Sequence, residues 1–474
     1  MSIFNKFPRT FWVANVIELF ERWAWYGFFM LFANYLTGSS DMGGLEFSQA
    51  QKGLIMGVGT GILYFLPVLT GAIADRYGYK RVLAVAFVIY ASAFVLLPLF
   101  STFTGVFLMY IYLAVGAALF KPVISATIAK TTNGKNSSIG FGIFYMMVNI
   151  GAFFGPMVTL LFRDSTMVFY TSAIIVSVNL LLLILYKEPG RAEMQKVREP
   201  LGRTFATIFR NMASIFRDGK FVVFLLIVAG FWTMYYQLFF TLPVFIEQWV
   251  DTSALYNFFN TYIPFISKHY SAAEGVMKAE FVTNFDALYI IIFQIAVSAL
   301  VMKLRPLRSM MTGFLVCSIG MALTLVSQNV LFTLVAILIF GLGEMAASPK
   351  VTEYIGSIAP SDKKALYMGY SFIPVFLGTV FAGFISGNVY QVMADKVRIV
   401  QDFAEKQGLS VPADLSQDGF FSNVAGQMGM TGGELTDLLW QQYSPYNMWI
   451  VIMAIGLAAT LLLYVYDKKI ARKA

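Results

Sequence analysis

A chain of 474 residues that is 58% hydrophobic and only 13% charged is not composed like a soluble globular protein, which carries about a quarter charged residues. Its net charge of +8 could suggest a nucleic-acid partner, but the basic residues sit in short loops between apolar segments, which has a simpler cause and leaves no nucleic acid to invoke. One cysteine, Cys317, rules out an intramolecular disulfide.

Apolar stretches of the length that crosses a bilayer core, about twenty residues, recur from end to end. Spans are predicted at about 10–37, 50–74, 81–100, 103–129, 139–163, 166–187, 220–247, 279–302, 307–327, 330–358, 364–390 and 446–467. The first is too long and too charged for a cleaved signal peptide. Alternate loops carry the basic residues: Arg76, Lys80 and Arg81, then Lys130, then Arg203, Arg210 and Lys220, then Lys303, Arg305 and Arg308, and the tail with Lys468 and Lys469. The positive-inside rule then places both termini in the cytoplasm, and a bacterial inner membrane is the expected location. The expected fold class is therefore all-α integral membrane, with about twelve transmembrane helices in two six-helix bundles. The bundles cover 1–187 and 220–474, joined by a basic cytoplasmic linker at 188–219. Arg203 to Arg217 suits an amphipathic helix on the leaflet surface. Two long outward loops, about 248–278 and 391–445, suit short helices capping that face, and His269 in the first of them is expected to face water.

An ionisable residue in mid-membrane costs about 2.5–3.5 kcal/mol on insertion scales, so each one needs a partner or a role. The first span carries Glu18, Glu21 and Arg22, and offsets of three and four put them on one helical face. Lys121 in the fourth span has no acid within a turn, so Glu18 and Glu21 are its expected partners; the adjacent Pro122 removes a backbone donor. Asp286 starts the eighth span, either in the site or merely solvated at its mouth. Glu344 lies in the tenth span among Gly341, Gly343 and Pro349, and Lys350 with Glu353 reads as a structural pair. Gly57 to Gly61 is helix-packing surface rather than a phosphate cradle. The sequence offers no metal site, cofactor motif or nucleophilic triad, so no enzyme is expected.

Between spans two and three, Gly71, Asp75, Arg76, Gly78, Lys80 and Arg81 match the loop motif of the major facilitator superfamily, with Asp75 and Arg76 as gate residues. Beyond that, the chain resembles the proton-dependent oligopeptide transporter family. Glu18, Glu21 and Arg22 followed by Trp23, Trp25 and Tyr26 are similar to its first-helix ExxER signature. Phe120-Lys121-Pro122 is similar to its fourth-helix motif, and Phe144, Tyr145 and Asn149 to its fifth-helix motif. The resemblance implies Glu18, Glu21 and Lys121 in proton coupling. It implies Arg22, Tyr26, Tyr64, Lys121 and Asn149 around a peptide's carboxylate, and Glu344 facing its amino terminus. The sequence departs from the family at the outer gate, where Phe29 and Tyr236 stand in place of a charged pair, and at Asp286, where a neutral amide is usual. The expectation is a proton-coupled symporter importing di- and tripeptides by alternating access, with protons, the bilayer and a small zwitterion as its partners. A carrier for another small charged or zwitterionic metabolite is the alternative, and a transporter-like substrate sensor a third reading.

Overall fold

A computed structural model describes residues 7–132, 136–162, 165–189, 200–214, 218–359 and 364–471; of the linker, 190–199 and 215–217 lie outside the described residues. The first bundle is built from α1 (Arg9–Thr37), α2 (Gln49–Phe65), α3 (Pro67–Tyr77), α4 (Tyr79–Leu96), α5 (Phe103–Thr131), α6 (Ser137–Thr159) and α7 (Ser165–Leu185), followed by the linker helix α8 (Leu201–Ser214). The second follows as α9 (Gly219–Tyr235), α10 (Gln237–Phe240), α11 (Leu242–Trp249), α12 (Ser253–Tyr262), α13 (Pro264–Tyr270), α14 (Ala279–Thr283), α15 (Phe285–Val301), α16 (Pro306–Leu323), α17 (Val330–Ile358), α18 (Lys364–Tyr370), α19 (Phe372–Phe384), α20 (Tyr390–Met393), α21 (Lys396–Lys406), α22 (Gln417–Gln427), α23 (Gly432–Tyr443) and α24 (Met448–Lys469).

Among the described residues ten helices are long and apolar enough to cross a membrane, and eleven if α2 and α3 count as one span. The 43° bend between those two falls just before Pro67, whose ring cannot donate to the ladder and clashes with the preceding turn. The twelfth is α1. At 29 residues it is about 43 Å long, and its mid-helix charges lower its mean hydropathy. Twenty of its residues are buried, so protein rather than lipid surrounds those charges.

Within the first bundle α1 packs on α6 and α7, α4 on α5 and α7, and α2 on α5; within the second α16 packs on α17 and α24, and α9 on α19 and α24. The main seam between bundles is α2 against α19. It is a glycine contact: a Cβ on Gly53 would lie 2.2 Å from the carbonyl oxygen of Gly383, and one on Gly57 would lie 2.8 Å from the Gly383 Cα. Only hydrogen at these positions lets the backbones meet.

The span-eleven helix departs from the expected end near residue 390. It runs through a π-helical turn at Ile385–Val389 and resumes, after Ala394, as α21. The two long loops fold into short elements: α12, α13 and the hairpin of β1 (Ser271–Ala273) with β2 (Val276–Met277), then α21 to α23. They lie on the face opposite the Asp75–Arg81 turn, here the far face; the other is the basic face. His269 is half-buried and its Nδ1 bonds the Phe265 carbonyl at 2.8 Å. The linker helix α8 packs along α3 with Arg203, Thr207 and Arg210 exposed.

Candidate functional site

The three charged residues of α1 form one knot. Arg22 Nη2 lies 2.5 Å from Glu21 Oε2, and Arg22 Nε lies 3.3 Å from Glu18 Oε1. The Tyr90 hydroxyl on α4 donates to Glu21 Oε1 at 2.6 Å, so both oxygens of Glu21, which is wholly buried, are occupied. One guanidinium thus serves two carboxylates, which leaves one acid in excess.

Lys121 is not paired with those acids, contrary to the expectation. Its ammonium sits 4.0 Å from the centroid of the Tyr64 ring and makes no ion pair among the described residues. Arg22, on the same helix as the acids and with a fork of donors, has taken both carboxylates, and the electron-rich ring face solvates Lys121 instead. Pro122 shapes this position. Lacking an N–H, it leaves the Ala118 carbonyl one turn earlier without its helical partner; the Thr70 hydroxyl from α3 donates to that oxygen at 2.6 Å. Glu18, Arg22, Lys121 and Pro122, with Phe144 and Tyr370 across from them, line a cavity of about 500 Å³ that reaches α8 at Ile208 and Met212. That volume is in the range of small-molecule sites, about 300–1,000 Å³.

The second bundle supplies an acidic pole. Glu344 Oε1 accepts the Tyr235 hydroxyl at 2.9 Å, while Glu344 Oε2 is buried without a partner. Asp286 is 4% exposed, which removes the reading of it as a solvated mouth residue. Its Oδ1 also has no partner, and lies 3.0 Å from where a Cβ on Gly341 would be. The missing side chain at Gly341 is what lets Asp286 lie against α17. Neither acid makes an ion pair among the described residues. Tyr26 lies between the poles, its ring centroid 6.0 Å from the Arg22 guanidinium and its hydroxyl within electrostatic reach of Glu344. Asn149 is half-buried, its amide donating to the Tyr145 carbonyl at 2.8 Å. The Tyr145 hydroxyl meets Gln294 of the other bundle at 3.4 Å. Lys350 and Glu353 pair at 2.7 Å, apart from the site.

At the basic face Asp75 accepts the Tyr79 hydroxyl at 3.0 Å, and the exposed Arg76 lies 5.7 Å from the Tyr77 ring centroid. Gly78 turns the chain with φ +93 and leaves room for Glu188, whose carboxylate takes the Tyr79 N–H. At the far face Phe29 and Tyr236 are both buried but do not stack on each other. Phe29 packs on Phe239 and Phe240, with centroids 5.6 and 6.2 Å away, and Tyr236 reaches this group through Phe240 at 5.6 Å. The break between α10 and α11 turns this segment so that Phe239 and Phe240, rather than Tyr236, meet α1.

The sequence reading passed over Lys52. This residue of α2 is wholly buried, its ammonium donating to the Phe240 carbonyl at 2.9 Å and lying 5.3 Å from the Tyr390 ring centroid. It crosses from one bundle to the other beside the glycine seam. A lysine inside a predicted span was the available signal. Tyr90 and Tyr235, which hold Glu21 and Glu344, gave none, since tyrosine is common in membrane helices.

The Major Facilitator Superfamily profile matches residues 14–383. Among curated proteins the chain is 24% identical to the uncharacterized MFS-type transporter YqjV of Bacillus subtilis, covering 76% of this chain and 81% of that one. It is also 24% identical to multidrug resistance protein MdtH of Escherichia coli, covering 76% and 82%. Solved structures share the fold at lower identity. A POT family transporter in complex with a thioalcohol conjugated peptide aligns with TM-score 0.70 and 17% identity over 98% of this chain and 96% of that one. The nucleoside transporter NupG aligns with TM-score 0.67 and 13% identity over 97% and 100%. The matched profile spans every helix that carries the two charged poles, and the chain belongs to the Major Facilitator Superfamily, as a multi-pass membrane transporter.

Proposed function

We propose that this transporter is a proton-coupled symporter of small zwitterions of di- and tripeptide size, working by alternating access with the basic face in the cytoplasm. The observation that carries the reading is the sharing of Arg22 between Glu18 and Glu21 beside Lys121 on the cavity wall. A substrate carboxylate entering this pole competes with two acids for one guanidinium. Protonating either acid releases donors of Arg22, so proton and substrate binding favour each other through a shared ion pair. Glu344 offers an anion to the substrate's amino group. In the described conformation the seam of α2 and α19 is closed at the far face, and the cavity beside the knot reaches the linker helix α8. That arrangement suits a carrier poised to release toward the basic face.

The test is uptake of labelled dialanine into proteoliposomes under an inward proton gradient. Accumulation that collapses with a protonophore is expected. No uptake by correctly oriented, folded protein would overturn the peptide reading. The alternative, a proton-coupled carrier for another small charged metabolite, draws support from the second, unpaired acid at Asp286.

A further inference from the structure

We propose that Asp286 and Glu344 act together as a two-carboxylate clamp that selects substrates bearing excess positive charge, a diamine or a peptide with a basic side chain, over plain zwitterions. This deepens the transport reading above and rests on it. The argument begins with charge. The two poles, bridged by Tyr26, together hold two cations, Arg22 and Lys121, and four acids, Glu18, Glu21, Asp286 and Glu344. Arg22 is consumed by Glu18 and Glu21, and Lys121 rests on Tyr64. A zwitterion brings one ammonium and one carboxylate, so it leaves this imbalance unchanged. A substrate with a second ammonium reduces it.

The geometry places the imbalance in the second bundle. Among the described residues Asp286 Oδ1 and Glu344 Oε2 are both buried without a hydrogen-bond partner. Buried carboxylate oxygens left this way are expensive unless a cation or proton meets them. The two acids come from different helices, α15 and α17. Gly341, against which Asp286 lies, is three residues before Glu344, about one helical turn or 4.5 Å along the axis. That spacing lets the two ends of a short diamine, or an α-amino group and a basic side chain, meet one carboxylate each, whereas the single ammonium of a plain zwitterion is taken by Glu344. The charged or titratable neighbours reaching these acids among the described residues are Tyr26, Tyr235, Tyr145 and Cys317. None of these is a cation, so the missing positive charge must come from the ligand or from protons. A structural acid pair fixing α15 to α17 would instead be expected to have its oxygens satisfied across the helix contact.

The experiment is calorimetric titration of the purified full chain with 1,4-diaminobutane and, separately, with dialanine, for the unmodified protein, Asp286→Asn and Asp286→Glu. The expected result is loss of diamine affinity by about tenfold or more in Asp286→Asn, the scale for removing one member of a buried charge pair. Asp286→Glu is expected to retain most of it, with dialanine affinity changing by less than about threefold in both. Unchanged diamine affinity in Asp286→Asn, or equal loss for both ligands while thermal melting is unaltered, overturns the clamp. Should Asp286→Asn fail to fold, Gly341→Ala, which pushes a methyl onto Asp286 Oδ1 without removing the charge, gives the same reading: selective loss of the diamine supports the clamp, and no change overturns it. Diamine binding that depends on Asp286 without any dialanine binding would sink the peptide reading and keep the clamp. Dialanine binding with diamine binding indifferent to Asp286 would do the reverse.

Discussion

The hydroxyl of Tyr90 on α4 donates to Glu21 Oε1 at 2.6 Å, so the acid that Arg22 grips from one side is held from the other by a different helix. Together with the Arg22 pair, this contact holds the Glu21 carboxyl group at a fixed place between α1 and α4.

Glu21→Gln is expected to abolish accumulation driven by a proton gradient while counterflow exchange of substrate continues, since an amide keeps the shape but cannot carry the proton. Tyr90→Phe is the milder test. A hydrogen bond to a charged group is worth about 1.5–3 kcal/mol, so gradient-driven uptake should fall by about tenfold or more with exchange less affected. Uphill accumulation surviving Glu21→Gln in proteoliposomes would remove this residue from the coupling path.

Lys121→Ala should weaken binding of substrates with a free carboxylate. In the unmodified protein an amidated dipeptide should bind at least about tenfold more weakly than its free acid, and in Lys121→Ala that difference should shrink. Because the ammonium rests on a ring face rather than on a carboxylate, Lys121 itself has no ion pair to give up when the substrate carboxylate reaches it. Equal affinity for both forms in the unmodified protein would show that the carboxylate is not read here.

Much of this arrangement is legible in the sequence because the membrane makes charge conspicuous. Glu18, Glu21, Arg22, Lys121 and Glu344 stand out against apolar spans, and helical offsets put the first three on one face. What the sequence does not give is which cation takes which acid. Arg22 shares the acids' helical face on paper, but whether Lys121 takes one of them from another span is decided only by three-dimensional proximity and the guanidinium's fork, which award both acids to Arg22. Asp286 is ambiguous for a similar reason: a residue at the start of a span is solvated or buried according to the neighbouring helix, and Gly341 decides it. The partnership of Phe29 with Phe239 and Phe240 depends on the helix break near Thr241, which leaves no mark in hydropathy. Gly53 and Gly57 suggest close packing, but not against Gly383.

Gly57→Leu should hold the far face open. The Cβ alone would come within 2.8 Å of the Gly383 Cα and 3.1 Å of the Thr379 carbonyl oxygen, and backbone cannot yield as a side-chain tip can. Spin labels at Met42 and Tyr262, both exposed on that face, should report longer distances than in the unmodified protein, with transport lost and substrate binding from the far side retained. Unchanged distances would mean that this seam does not open during the cycle.

Lys52→Met tests the opposite direction. In the closed seam the Lys52 ammonium has lost its water and gains one carbonyl, that of Phe240, and the face of Tyr390. A charged hydrogen bond contributes about 1.5–3 kcal/mol and a desolvated cation–π contact about 2 kcal/mol, against an effective desolvation cost of several kcal/mol. These terms nearly cancel, so in the proposed cycle closure is expected to stay reversible. Methionine fills similar volume without that desolvation cost, at the loss of one donor to the Phe240 carbonyl. The same pair of labels should therefore show the far face closed in a larger fraction of molecules, with turnover slowed by about tenfold or more. A population shifted toward the open far face would show that the lysine fastens the closed state, and that its bond to Phe240 outweighs the cost of burying it.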